Sequence, residues 1–371
     1  MPDSARPDAS VALRAFGWDD RRQAEGEALG GRDLVFGRVA VEHREQYLIL
    51  TTAGERSAEV SGRFLFEANK PADFPKVGDW VAATDFPDEG KAIIHAVLPR
   101  RTILSRNAAG RRTEEQVLAA NVDTIFLVQG LDMDFNVRRL ERQMVSALAC
   151  GAESVVVLNK ADLVPDPGPF LSRVLEALPG TEVLAASALA ETGLDVLRGR
   201  LRPGRTHVLL GSSGVGKSTL INKLIGRDIL ATAPVREDDS KGRHITTRRE
   251  LFVLPGGALL IDTPGVREFQ LWDSDEGVNE VFSDIAALAA RCRFGDCTHT
   301  RETGCAVLEA RKGGTLPEDR YQSWLKLRKE LAYLETKRRE KPGSDKKEWS
   351  KEIQGALKTF RKIHPKARFR G

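Results

Sequence analysis

Gly211-Ser212-Ser213-Gly214-Val215-Gly216-Lys217-Ser218-Thr219 follows an expected strand at 207–210 and precedes a helical pattern over Lys217–Ile225. Strand, glycine-rich turn and helix in that order make a phosphate-binding loop. The glycines let successive backbone N–H groups turn inward around phosphate oxygens, and the helix adds its positive N-terminal end. Lys217 is expected to bridge the β- and γ-phosphates of a nucleotide, and the Ser218 hydroxyl to ligate Mg2+. Such a loop sits in a doubly wound α/β domain, so strands and helices should alternate around it.

They do. Upstream, strands are expected at 124–129, 154–158 and 182–185, with helices at 137–149, 170–178 and 193–201. Downstream, short strands are expected at 251–254 and 259–261. The strand at 154–158 runs into Asn159-Lys160-Ala161-Asp162. The Asp162 carboxylate can accept two hydrogen bonds from the N1–H and exocyclic amine of guanine, a pair that adenine cannot offer. A site built on buried paired hydrogen bonds rejects the mismatched partner by roughly 10⁴-fold or more. Asn159 is expected to tie this loop to the phosphate loop, and the stem of Lys160 to lie over the base. Ser187-Ala188, after another short strand, suits a backbone contact to guanine O6.

Asp262-Thr263-Pro264-Gly265 closes the last strand. Asp262 is expected to hold Mg2+ through water, and the N–H of Gly265 to meet the γ-phosphate. In the polar stretch 241–249, Thr246 or Thr247 should complete the Mg2+ shell, with Thr247 favoured. Val266 stands where many GTPases place a glutamine that orients the attacking water. Valine cannot hydrogen-bond that water, so His244, which exchanges protons near neutral pH, is the candidate for the task. The catalytic set is therefore His244, Lys217 and Thr247, with GTP/GDP as nucleotide. The chain order is unusual, because the guanine reader lies about 50 residues before the phosphate loop.

Cys292-x4-Cys297-x-His299-x5-Cys305 supplies three thiolates and one imidazole. That is a closed tetrahedral shell for Zn2+ and reads as one structural site. The fourth of the chain's four cysteines, Cys150, ends an apolar helix and reads as core.

Before the nucleotide motifs, five short strands are expected within residues 34–98, at 34–41, 47–52, 58–66, 79–84 and 92–98, punctuated by glycines. They suit a small barrel of the OB type. Phe64, Phe66 and Trp80 are its aromatic candidates for stacking on RNA bases. Residues 100–120 read as a basic connector. The division is 1–31 as a disordered extension, 32–103 as OB-fold, 104–275 as permuted GTPase domain, 276–336 as zinc-binding domain with helices, and 337–371 as a basic helical tail. Helices are expected at 318–335 and 345–362.

The whole chain has 371 residues, 41% hydrophobic and 30% charged, with a net charge of +4. The last 35 residues hold 13 Lys/Arg against 4 Asp/Glu, leaving 44 basic and 49 acidic residues elsewhere. Such a tail suits the phosphates of RNA. No unbroken apolar run approaches the roughly 18 residues of a membrane helix, and the start lacks the layout of a secretory signal. A cytoplasmic protein without a membrane partner is expected, and nothing requires more than a monomer.

The permuted motif order, Gly242-Arg243-His244-Ile245-Thr246-Thr247, the cysteine–histidine spacing, Asp134-Phe135-Asn136 and Arg139-Leu140-Glu141-Arg142 resemble the RsgA/YjeQ family of circularly permuted, small-ribosomal-subunit-dependent GTPases. The resemblance covers residues 34–335. It implies an OB-fold, a permuted GTPase domain and a zinc-binding domain. It also implies action late in small-subunit maturation, binding to that subunit and its rRNA, and release upon GTP hydrolysis. The histidine matching His244 is implicated there in hydrolysis. Two positions depart from the family pattern: Ile245 interrupts a threonine run, and Thr303 stands where a proline is common before the last zinc ligand. The competing reading is a zinc-containing RNA-binding module that uses GTP as a switch with negligible turnover.

Overall fold

A computed structural model of the chain describes residues 9–30, 33–43, 46–107, 115–228, 230, 249–263 and 275–340. Among the described residues, two helices precede the first strand, α1 (Ala9–Arg14) and α2 (Asp20–Ala28), where the sequence suggested a disordered extension. Asp19 caps α2 by accepting the N–H of Arg22, and Leu13 and Trp18 are buried against Trp80 and Leu98. The helices are stable because they dock; alone, pieces this short would be marginal.

Five strands close the barrel: β1 (Val35–His43), β2 (Gln46–Thr51), β3 (Gly54–Val60), β4 (Trp80–Phe86) and β5 (Lys91–Val97). Their order is β1-β2-β3-β5-β4, and β4 returns to β1 through Val35↔Ala83 to Arg38↔Trp80. Val39, Ile49, Ala58, Val60, Val81 and Ile94 fill the interior. The run expected as one strand over 58–66 divides. It pairs as far as Val60, then Ser61 accepts the N–H of Phe64 and starts α3 (Gly62–Glu67). A capping hydroxyl just ahead of the Phe64–Leu65 pair wins over strand propensity, because the helix buries both at one end of the barrel. Phe64 and Trp80 are therefore core residues, whereas Phe66 is 84% exposed.

The stretch read as a basic connector contains a hairpin, β6 (Ile103–Asn107) with β7 (Glu115–Ala120). Among its described residues, Arg100 spends its charge inside the protein. Arg100 grips buried Asp79 at 2.7–3.1 Å and also donates to the Phe74 carbonyl.

The nucleotide domain comprises β8 (Thr124–Gly130), α4 (Val137–Cys150), β9 (Glu153–Asn159), α5 (Gly168–Ala177), β10 (Glu182–Ala185), α6 (Leu194–Arg200), β11 (Thr206–Leu210), α7 (Lys217–Ile225), β12 (Glu250–Val253) and β13 (Leu259–Asp262). The strands lie in the order β10-β9-β8-β11-β13-β12, parallel except for β12, which joins the barrel through Val41↔Glu250. Alternation along β8, β9 and β11 separates two cores. Ile125, Leu127, Val156, Leu158, Val208 and Leu210 face α4 and α5; Phe126, Val128, Val155, Val157 and Leu209 face α6 and α7. Apolar residues on both faces are what a covered parallel sheet needs.

Four helices follow: α8 (Asp275–Val281), α9 (Ser283–Ala289), α10 (Ala306–Lys312) and α11 (Glu318–Glu340). They share one core with α4, through Phe282, Ile285, Trp324 and Leu331 beside Leu140 and Met144. Gly277 allows α8 to cross α4 closely, since a Cβ there would lie 2.5 Å from the Val145 carbonyl oxygen. Arg320 of α11 clamps the junction: it chelates Asp284 at 2.8 Å, reaches buried Glu141 of α4 at 3.0 Å and donates to the Ala177 carbonyl. Helix α11 runs past residue 337, the expected start of the basic tail; residues 341–371, with the helix expected at 345–362, lie outside the described residues.

Candidate functional site

The phosphate loop, the Asn159–Asp162 turn, Ser187-Ala188 and Asp262 lie at the C-terminal ends of β11, β9, β10 and β13, the edge where open α/β sheets bind ligands. The phosphate loop leaves β11 at Leu210. Gly214 and Gly216 adopt φ of +84° and +93°, the left-handed region that glycine enters without steric cost. Gly216 is also a contact point, since a Cβ there would meet the Asn159 side-chain amide at 2.3 Å. At Gly211 a Cβ would meet the Val128 carbonyl at 2.4 Å. Ser213 and Gly214, at the tip of the loop, are exposed; Val215 is buried beneath it.

Asn159 joins the loops. Its Nδ2 donates to the Val215 carbonyl at 2.8 Å, and its Oδ1 accepts the N–H of Ala188 at 3.1 Å. One buried amide thus spans the phosphate loop, the Asn159–Asp162 turn and the Ser187-Ala188 loop. The Ala161 N–H reaches the Ala186 carbonyl at 3.1 Å, and Ser187 donates to the Asp162 carboxylate. Lys160 stands in the left-handed region at φ +62°, with its ammonium 2.5 Å from Asp132.

Lys217 is buried, and its ammonium donates to the carbonyls of Gly211 and Ser212 at 2.8 and 2.7 Å. Burial pushes its pKa down to about 8, against the pull of Asp262. Burial likewise pushes the Asp262 carboxyl up to about 6. Asp262 Oδ2 has no hydrogen-bond partner among the described residues. A buried carboxylate oxygen without a donor, close to an ammonium and to the start of α7, fits a hydrated Mg2+. Ser218, at the second position of α7, and Thr219 are half-buried. Thr263, which the sequence reading passed over, holds the strand end by donating to the Leu209 carbonyl at 2.9 Å. His244, Thr246 and Thr247, and likewise Gly265 and Val266, lie outside the described residues.

Cys292, Cys297, His299 and Cys305 come together with their ligand atoms all within 4.8 Å. Cys292 and Cys305 Sγ stand 3.8 Å apart, and each lies 3.5 Å from His299 Nδ1. Tetrahedral Zn2+ with ordinary Zn–S and Zn–N bonds has S···S and S···N edges of about 3.8 and about 3.6 Å. The donor set therefore fits one Zn2+, and the spacing is far too long for a disulfide. The knuckle is held from outside: Tyr321 donates to the His299 carbonyl at 2.7 Å, and Trp324 packs on the His299 ring at 5.3 Å. Cys150 is a separate buried thiol, pushed up to about 12 by its burial.

In chain order the reader strand β9 comes before the phosphate strand β11, yet β8 alone separates them in the sheet. That arrangement makes the protein a circularly permuted GTPase. Residues 97–272 match the RsgA GTPase family. The small ribosomal subunit biogenesis GTPase RsgA of Opitutus terrae is 47% identical over 357 residues, spanning 93% of this chain and 97% of that protein. The chain belongs to the RsgA family. RsgA 2 of Lactiplantibacillus plantarum is 48% identical over 324 residues, covering 87% and 90%. The crystal structure of YjeQ from Thermotoga maritima is similar, with a TM-score of 0.59 at 27% identity over 81% of this chain and 99% of that one. The fold is shared with YloQ, a circularly permuted GTPase, with a TM-score of 0.54 at 23% identity over 84% and 97%. No helix among the described residues is long and apolar enough to cross a membrane.

Proposed function

We infer that the protein is a cytoplasmic, monomeric GTPase of small ribosomal subunit biogenesis. It binds the small subunit through its rRNA, hydrolyses GTP to GDP and phosphate late in maturation, and leaves upon hydrolysis. The observation that carries the nucleotide reading is Asn159, whose one side chain spans three loops at the edge of the sheet. The relatives named as small ribosomal subunit biogenesis GTPases supply the process.

In this reading Asp162, held by Ser187, takes the guanine edge, and the backbone at Ala188 meets O6. Backbone N–H groups of 211–219 wrap the phosphates, and Lys217 swings from its two carbonyls to the β- and γ-oxygens. When bound, Mg2+ neutralises phosphate charge; Ser218, Thr247 and, through water, Asp262 would hold it. Gly265 reports the γ-phosphate, and His244 orients the attacking water that Val266 cannot. Zn2+ is structural, held by Cys292, Cys297, His299 and Cys305.

Phosphate release from GTP, measured alone and with purified small or large subunits, tests the process. Small subunits alone should accelerate it; equal stimulation by large subunits, or none by either, would overturn the reading. Asp162→Asn tests the base reader separately. It should cut the preference for GTP over ATP by about 10²-fold or more. Unchanged selectivity in competition binding would remove Asp162 from that role.

A further inference from the structure

Asp132 was not singled out by any sequence motif, yet it holds the Lys160 side chain of the base-reading turn. Lys160 needs holding. It is a non-glycine residue at φ +62°, a strained conformation that persists only where neighbours enforce it. Its ammonium meets Asp132 Oδ2 at 2.5 Å, with the two side chains only 21% and 25% exposed. Two hydrogen bonds keep Asp132 in place. Its Oδ1 accepts the N–H of Asp134 at 3.1 Å, and the Leu131 N–H donates to the Asn159 carbonyl at 2.8 Å. Asp134 in turn chelates Arg139 at 2.5 and 2.9 Å, and its carbonyl accepts Gln129 Nε2, so the loop after β8 is braced at both ends.

The consequence follows from chain geometry. With Cα fixed at the end of β9 and Nζ fixed at the end of β8, the four methylenes between them are stretched across the edge of the sheet. Asp162, two residues on in the same turn, is held by Ser187. We propose that Asp132 is a positioning residue for guanine nucleotides: by pinning the Lys160 ammonium, it lays the lysine stem as a preformed wall against the base. This rests on the nucleotide reading of the site given above. A pre-set wall spares the nucleotide the entropy of ordering a lysine, which carries four free torsions. The benefit lies at the base, remote from the γ-phosphate, and so is the same for GTP and GDP.

The test uses the full chain, zinc-loaded, with a fluorescent GDP analogue and unlabelled GTP as competitor. Asp132→Asn keeps an oxygen to accept the Asp134 N–H but removes the charge. Lys160→Met keeps the stem but removes the ammonium. Each should weaken GDP and GTP by the same factor, about tenfold, and in GTP turnover by Asp132→Asn the loss should fall on KM with kcat retained. The double variant should bind no worse than either single one. Asp132→Asn binding like the parent protein would overturn the proposal, as would losses that multiply in the double variant, since Asp132 would then act independently of Lys160. A parent protein that fails to bind guanine nucleotides at all would sink the nucleotide reading itself, and the proposal with it.

Discussion

Lys217→Ala should lower GTP affinity or turnover by about 10²- to 10³-fold, the largest effect expected of any single substitution in the nucleotide domain. The ammonium is buried and held by two loop carbonyls, so it is stationed where phosphate charge arrives rather than recruited from solvent. Alanine removes the charge and also leaves the Gly211 and Ser212 carbonyls without that donor. Thermal melting in parallel separates the two consequences: the melting shift should be modest, the affinity loss large. Retained GTP turnover at the parent rate would remove Lys217 from the mechanism.

The same residue predicts a pH profile for the parent protein. Burial sets Lys217 near pKa 8, so above about pH 8 the side chain must gain a proton before it can grip phosphate. Affinity should then fall by up to about tenfold per pH unit. Asp262 has the opposite sign. Its carboxyl is raised to about 6, so below about pH 6 it is protonated and a poor partner for Mg2+. Mg2+-dependent GTP binding should be strongest between about pH 6 and 8, and Lys217→Ala should flatten the alkaline limb only.

What the sequence showed clearly was chemistry carried by consecutive residues. The phosphate loop, the Asn159–Asp162 turn and the cysteine–histidine spacing each place their groups through local backbone geometry, so a linear reading suffices. The misses share a different cause. Asp132 meets Lys160 only because β8 and β9 are neighbours in the sheet, which no spacing along the chain reveals. The arginines of the supposed connector looked like free basic surface, but Arg100 finds its acid in Asp79 of the barrel. Likewise Arg22 is buried against Asn121 of the β7–β8 turn, a partner that holds the opening helices on the protein. In each case the partner of a charged side chain lay far along the chain. The 58–66 run failed for a subtler reason. Alternation continued through it, and only the Ser61 hydroxyl signalled that the backbone would turn helical.

Removing zinc should break the C-terminal knuckle while sparing nucleotide binding. A structural Zn2+ in so small a unit contributes about 10 kcal/mol or more of local folding free energy, well beyond what residues 292–305 can recover from a core of their own. His299 is also held at φ +60°, a strained conformation that ligation and the Tyr321 contact maintain. Chelation, or Cys305→Ala, should release this strain, expose Trp324 from 3% accessibility, and open residues 292–316 to protease by at least about tenfold. The rest should hold, because α11 is fastened to α4 independently of the metal. Arg320 binds Asp284 and Glu141, and Arg142 pairs with Glu330 at 2.7 Å. GTP affinity is therefore expected to stay within about threefold while small-subunit stimulation collapses. Loss of GTP binding on chelation would mean that the knuckle supports the nucleotide loops directly. An unchanged protease pattern would mean that the four ligands fold without the metal.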